Sequence, residues 1–272
     1  MAQAGKSNTR WRAGLFPWLS FVYLTLIYGL PSIGCFYLSK VAGAAVLVVP
    51  VLWSLGFVVV AGVLSLPHQS SVVRGKVRKD VNDSRYFHRR LYGLCWTAVY
   101  YNKPVYYLCL SIPVFKTIMF QLFGYRGSMD FTVYPDTWIR DLPLLHFEDG
   151  VYVSNRATLG TNIVLSNGYL LVDEITLGKN ALIGHLAMLA PGVTVGDNAE
   201  VAVGVAVGIK SQLGARSFVA PCAAIEHGVR IGVDAEIGPN SYVGTRTVVA
   251  DGVKLPGGSI VAPRTRMTGV CQ

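Results

Sequence analysis

From Phe147 to Val261 every sixth residue is Leu, Ile, Val or Phe, and the register holds at twenty consecutive positions. If half of all residues were of these types, such a run would arise about once in a million trials, so the period is a folding signal. The residue after the anchor is usually small, as at Gly160, Gly178, Gly184, Gly196, Gly208 and Gly232. Four after the anchor stands a second small or β-branched residue, such as Ala181, Ala187, Val193, Ala199 and Ala223. Large interior anchors with small residues at the bends make the pattern of an all-β, left-handed parallel β-helix, in which three hexapeptides, about 18 residues, wind one triangular coil. The 120 residues from 147 to 266 then supply about 6.7 coils and a prism ~32 Å tall. No insertion is visible in the period, so no long loop is expected to leave the prism. Tyr169, in a slot otherwise small, is its main irregularity.

The chain ahead of the repeat has another character. Residues 1–140 hold 15 Lys+Arg against 4 Asp+Glu, a net +11, and residues 141–272 hold 9 against 11, a net −2. Leu15–Leu38 is 24 residues without a formal charge and Val41–Leu66 is 26 more, with only Ser39 and Lys40 between them. Each exceeds the ~20 residues that cross ~30 Å of hydrocarbon, so the two read as an α-helical transmembrane hairpin. Lys6, Arg10 and Arg12 precede the first span; Arg74, Lys76, Arg78, Lys79, Arg85, Arg89 and Arg90 follow the second. By the positive-inside rule both ends are cytoplasmic, which predicts a multi-pass protein of the cell (inner) membrane with its β-helix on the cytoplasmic side. The basic collar abuts a span, so it fits anionic lipid headgroups better than nucleic acid.

Leu91–Phe123 is rich in aromatic residues and interrupted by Lys103, Pro104, Pro113 and Lys116, which predicts interfacial helices on the cytoplasmic leaflet, with a re-entrant or spanning pair as the alternative. The expected organisation is a helical hairpin over 1–66 (spans 15–38 and 41–66), a basic collar with interfacial helices over 67–140, and the β-helix over 141–272. Five cysteines, Cys35, Cys95, Cys109, Cys222 and Cys271, include no CxxC pair, which suits a reducing compartment.

At its six-residue repeat the chain resembles the bacterial hexapeptide-repeat transferases, which move acyl groups from acyl-CoA or acyl carrier protein. The resemblance covers about 120 residues. It implies an acyltransferase that takes a thioester donor, holds no tightly bound cofactor and assembles as a homotrimer with its site between neighbouring prisms. Membrane helices, then the segment Tyr134–Leu145 (YPDTWIRDLPLL), then the prism are similar to the membrane-bound C-terminal region of epsilon-poly-lysine synthetase-like proteins. No adenylation or carrier domain accompanies them in this sequence, so the activated donor is expected from elsewhere, with an acyl or peptidyl carrier protein as a possible partner.

Acyl transfer to a hydroxyl or amine needs a general base that titrates near neutrality, and His is the usual one. His227, in Ile225-Glu226-His227, takes the third, outward position of a hexapeptide. The segment looks like the one that carries the base in several hexapeptide acyltransferases, and Glu226 is placed to orient the imidazole. His185 takes the same position 42 residues earlier, which is seven hexapeptides and therefore another side of the prism. A solvated corner histidine is the plainer reading of either, and His146 is a third, weaker candidate. Asn155, Asn162 and Asp173 are candidate acceptor-binding residues, with corner formation as their structural alternative. Arg264 and Arg266 are candidates for the phosphates of CoA, and Lys210, Arg216 and Arg246 carry further positive charge toward the same end. No metal site is expected: zinc ligands in a prism of this kind recur at whole coils, and 42 is not a multiple of 18. The non-enzymatic alternative is a trimeric scaffold that positions partners at the membrane.

Overall fold

The six-residue anchors fill an interior, and the short strands that carry them pair in parallel. The computed structural model describes residues 11–41 and 47–268, in which the chain divides into two units. The larger is a left-handed β-helix of three seven-stranded parallel sheets. The first face runs from Phe131–Val133 to Lys254–Leu255, the second from Trp138–Ile139 to Ile260–Val261, and the third from Leu145–Phe147 to Arg266–Met267. From Ile183 onward the coils stand 18 residues apart, Ile183 beside Val201, Val201 beside Val219, Val219 beside Ile237. From Leu177 onward every bend carries one left-handed residue three after the anchor, either Gly (Gly192, Gly204, Gly228) or a residue with a side chain, such as Asn198, Lys210, Arg216, Cys222 and Arg246. That conformation costs roughly 1–2 kcal/mol for a residue with a β-carbon, and the ladders above and below each bend hold it in place.

Eighteen of the twenty anchors are buried; Leu165 and Leu171 are not. Phe147 pairs with Leu177, Val153 with Ile183 and Leu159 with Leu189, separations of 30 residues where 18 is the rule. Twelve residues therefore leave the triangular winding here, and they include an antiparallel hairpin of Asn162–Val164 with Tyr169–Val172. Twelve is two hexapeptides, so the apolar phase crosses the insertion unbroken and the sequence conceals it. The expectation of an uninterrupted prism is overturned, and Tyr169 opens the second strand of the hairpin. Parallel pairing also starts at Phe131, ahead of residue 141.

The helical unit contains α1 (Trp11–Val41), α2 (Val49–Gln69), α3 (Ser84–Tyr101), α4 (Lys103–Ser111) and α5 (Pro113–Leu122). Both α1 and α2 are long and apolar enough to cross a membrane. The turn of the hairpin is not at Ser39–Lys40, which belong to the last turn of α1; α2 begins at Val49, where Pro50 suits a first helical turn because its missing N–H has no partner there anyway. The start of the second span over 42–46, the charges of Lys6 and Arg10, and Cys271 lie outside the described residues. Asp83 caps α3 by accepting from the Tyr86 N–H at 3.0 Å, which satisfies one free amide of its first turn. Helices α4 and α5 meet at 117° across Ile112 and together pass the same length and hydropathy test as one broken span. Several aromatics of this region form a core instead of an interface: Trp96 packs edge-on against Tyr106 and Phe123, and all three are fully buried. Tyr101 and Tyr107 remain exposed.

Candidate functional site

The three prism faces differ in what they show to the outside. The outward row of the second face is Trp138, Thr158, Met188, Ala206, Ala224, Tyr242 and Ile260, without a charge. The first face presents Glu200, Glu236 and Lys254, and the third Arg230 and Arg266. Along the uncharged face runs a groove of about 320 Å³, floored by Met188, Ala206 and Ala224. Asn162 and Ile163 of the hairpin line it on the early coils, and Glu226 and His227 three coils on, where the second face turns into the third. The small floor residues keep it open, and at ~4.8 Å per coil it is ~14 Å long. A second groove, of about 810 Å³, follows that turn and is lined by Lys210, Arg246 and Arg264 together with His227. His227 lines both grooves.

The imidazole of His227 is held by the coil beneath it. Its Nδ1 accepts from the Ile209 backbone N–H at 3.0 Å. Asp197 and Asp251 do the same work at other bends, accepting from the N–H of Lys179 at 2.9 Å and of Val233 at 2.8 Å. In all three cases the side chain folds over a glycine that precedes the donor. A β-carbon on Gly208 would stand 2.6 Å from His227 Nδ1, and one on Gly178 or Gly232 would stand 2.4 Å from the aspartate oxygen. An accepting Nδ1 leaves the proton of the neutral ring on Nε2. Glu226, expected to orient the ring, makes no hydrogen bond to it among the described residues; its backbone carbonyl accepts from Ser211 Oγ at 2.7 Å.

His185 lies on a different bend, between the first and second faces, directly above Asn155: the Leu186 N–H donates to the Asn155 carbonyl at 3.4 Å. Its ring makes no side-chain hydrogen bond among the described residues and lines neither groove, and Asn155 Oδ1 below it is buried without a partner. The remaining candidates divide between these neighbourhoods. Asn162 and Arg264 join His227 in the two grooves, and Asp173 meets that cluster through Lys210, whose Nζ is 3.6 Å from Asp173 Oδ2. Arg266 stands exposed on the last strand of the third face, outside both grooves. Among the described residues no three of His, Cys, Asp and Glu converge as metal ligands would.

No protein-family profile matches this chain, and no curated protein matches it. Solved structures do. A hexapeptide transferase family protein from Anaplasma phagocytophilum is similar over 48% of this chain and 68% of that one, at 17% identity and a TM-score of 0.34. The UDP-N-acetylglucosamine acyltransferase of Francisella novicida is similar over 50% of this chain and 62% of its own, at 14% identity and a TM-score of 0.37. The acetyltransferase domain of PglB from Neisseria gonorrhoeae, solved with acetyl coenzyme A, is similar over 57% and 62%, at 17% identity and a TM-score of 0.32. For the last two, the match spans less than two thirds of the neighbour's length.

Two arrangements had no counterpart among the sequence candidates. Asp141 is fully buried with φ +57°, and its Oδ2 accepts from Thr161 Oγ1 at 2.8 Å and from Asn162 Nδ2 at 2.9 Å. The buried carboxylate thus fixes the amide of a groove residue; an Asp ahead of Leu-Pro where the winding begins was its only signal. In the helical unit Tyr23 Oη, His68 and His88 form a chain, with 2.8 Å from the hydroxyl to His68 Nε2 and 2.9 Å between the two Nδ1 atoms. A histidine at the end of an apolar helix was the available sign there.

Proposed function

We propose that this chain is a membrane-anchored acyltransferase that moves an acyl group from acyl-CoA, or from an acyl or peptidyl carrier protein, to a hydroxyl or amine. One observation carries the reading: His227 stands where an apolar groove meets a cationic one. The cationic groove suits the phosphates of the donor and the apolar one its acyl arm or the acceptor, which brings the thioester carbonyl and the nucleophile to the imidazole. His227 takes the proton from the acceptor O–H or N–H as its lone pair attacks the carbonyl, and returns it to the departing thiolate when the C–S bond breaks.

For Nε2 to take that proton, the ring must leave the Ile209 N–H and carry its own proton on Nδ1; Glu226, next in the chain, is then the group that accepts from Nδ1. Hydrogen bonds of this kind tighten when substrate is bound. The uncharged second face is the surface on which a second prism packs in a homotrimer, with the grooves at the junction. The helices α1 and α2 hold the prism at the inner membrane, and the basic residues after α2 keep it on the cytoplasmic side.

A second reading, a trimeric scaffold without catalysis, is favoured by one observation: His227 caps a backbone N–H as two aspartates do elsewhere. His227→Asp separates the two. The aspartate still reaches the Ile209 N–H, so the melting temperature stays that of the parent chain. Transfer of label from radiolabelled acetyl-CoA into membranes containing the full chain falls by about 10²–10⁴, the usual contribution of a positioned base. Full activity in His227→Asp would overturn the base assignment and leave the scaffold.

A further inference from the structure

A third cavity, of about 470 Å³, is distinct from the two grooves that meet at His227 and shares only Lys210 with the cationic one. It is formed by Lys76 of the short strand Gly75–Arg78 and Arg74 just before it, Leu171–Asp173 from the end of the hairpin, and Lys210 from its left-handed bend. Arg74 and Lys76 both line it from either side of Gly75, whose φ of +131° is open to glycine. Three cations therefore share the cavity with one carboxylate, Asp173.

The acids around it saturate these cations only loosely. Lys210 Nζ is 3.6 Å from Asp173 Oδ2, and Arg74 Nη1 is 3.4 Å from Glu174 Oε2, which also has His146 Nε2 at 3.9 Å. Arg216 and Asp234, on another bend, show what a closed pair looks like here: two contacts, at 2.7 and 2.6 Å. Lys76 has no ion-pair partner among the described residues. A phosphoryl oxygen accepts shorter, charge-assisted hydrogen bonds than those two carboxylates make, and it binds the spare ammonium as well.

The chain itself indicates the source of that phosphoryl group. Only Ser70–Val73 separate Arg74 from the end of α2, a helix long enough to cross a membrane. The five steps from Gln69 to Arg74 span at most ~18 Å, so the cavity is tethered close to the depth of lipid headgroups. A free anion would need no such tether.

We propose that this cavity binds the phosphoryl group of a membrane lipid, as a phosphomonoester or diphosphate, and that this lipid is the acyl acceptor. The binding stands on the geometry alone; the role as acceptor rests on the acyl-transfer reading.

The test uses the full chain in phosphatidylcholine nanodiscs, with inorganic pyrophosphate as the probe, titrated by calorimetry without any acyl donor. Arg74→Gln/Lys76→Gln weakens pyrophosphate binding by about tenfold or more, on the scale of two lost charge-assisted contacts. Arg246→Gln/Arg264→Gln, which alters only the other cationic groove, removes any pyrophosphate bound there and leaves intact the binding that Arg74→Gln/Lys76→Gln weakens. Asp173→Asn keeps the oxygen that caps the Glu174 N–H while removing the competing charge, so binding tightens, a gain that misfolding cannot mimic. With one tenth of the lipid replaced by phosphatidic acid, pyrophosphate binds about tenfold more weakly, because the lipid phosphate already fills the cavity. No binding by the parent chain, or an equal loss in both double variants, overturns the site. Binding that phosphatidic acid leaves untouched overturns the lipid and leaves a site for a free anion. Because no thioester is present, these outcomes do not depend on whether His227 is a base.

Discussion

His185 and His227 occupy the same slot of the hexapeptide, two after the anchor, yet their surroundings differ. His185 stands on the bend between the first and second faces, outside both grooves and with no side-chain hydrogen bond to its ring among the described residues. His227 stands on the bend between the second and third faces, seated over Gly208 and bonded to the Ile209 N–H, with a groove on either side. The repeat position decides that a side chain points outward. What it meets there depends on which faces adjoin it and on the coils directly above and below. Around His227 these are an apolar face with alanine at Ala206 and Ala224, and a bend with Lys210, Arg246 and Arg264 stacked at multiples of one coil.

The comparison can be broken most sharply by exchanging which histidine is lost. His227→Ala is expected to lower label transfer from acetyl-CoA by about 10²–10⁴, and His185→Ala to leave it within about twofold, since it removes a ring that touches neither groove. The reverse ranking would move the site to the bend with Asn155.

A smaller effect tests the seat under His227. Gly208→Ala places a β-carbon 2.6 Å from His227 Nδ1 and from the Glu226 carbonyl carbon. A cost of about 1–3 kcal/mol is expected from such overpacking, read by chemical denaturation, together with a shift of the His227 ring resonances and reduced transfer. An unchanged imidazole spectrum would mean that the glycine does not hold the ring.

The smallest effect belongs to the third bend, which carries no histidine. The Arg216 guanidinium, hydrogen-bonded to Asp234, holds that carboxyl below its ordinary value of 3.8. A depressed carboxyl stabilises the fold above its unfolded value and loses that contribution as the pH falls through the folded one. The difference in melting temperature between the parent chain and Arg216→Gln should therefore be present at neutral pH, shrink as the pH falls below about 4, and vanish once the pH is below the folded value. Both groups are exposed, so the stabilising effect is small; a difference that persists in acid would show that Arg216 acts through packing.

Much of the fold was legible because a coil of three hexapeptides must return its anchor to the interior, and Leu or Val at every sixth position is the visible trace of that demand. The hairpin of Asn162–Val164 and Tyr169–Val172 was not legible, since twelve residues preserve the phase. The apolar helices α1 and α2 were visible from charge-free length, but not where they turn: helix propensity carried α1 through Ser39 and Lys40 to Val41. Of the candidate residues, His227, Asn162 and Arg264 come to one neighbourhood and His185 with Asn155 to another. The role of Asp141 was hidden because its partners, Thr161 and Asn162, are reached only through the winding of the first coil.

By itself the sequence determined a six-residue winding, which residues face its interior, and two apolar stretches long enough for a bilayer, because each is a local periodicity or a local composition. Only the tertiary structure decided which outward residues meet. From Phe147 onward neighbours in the prism are 18 or 30 residues apart and the choice between these rests on one phase-preserving insertion, so the placing of Asn162 along one groove with His227, and of the stacked cations on the coils beside His227, is a property of register that no single hexapeptide contains.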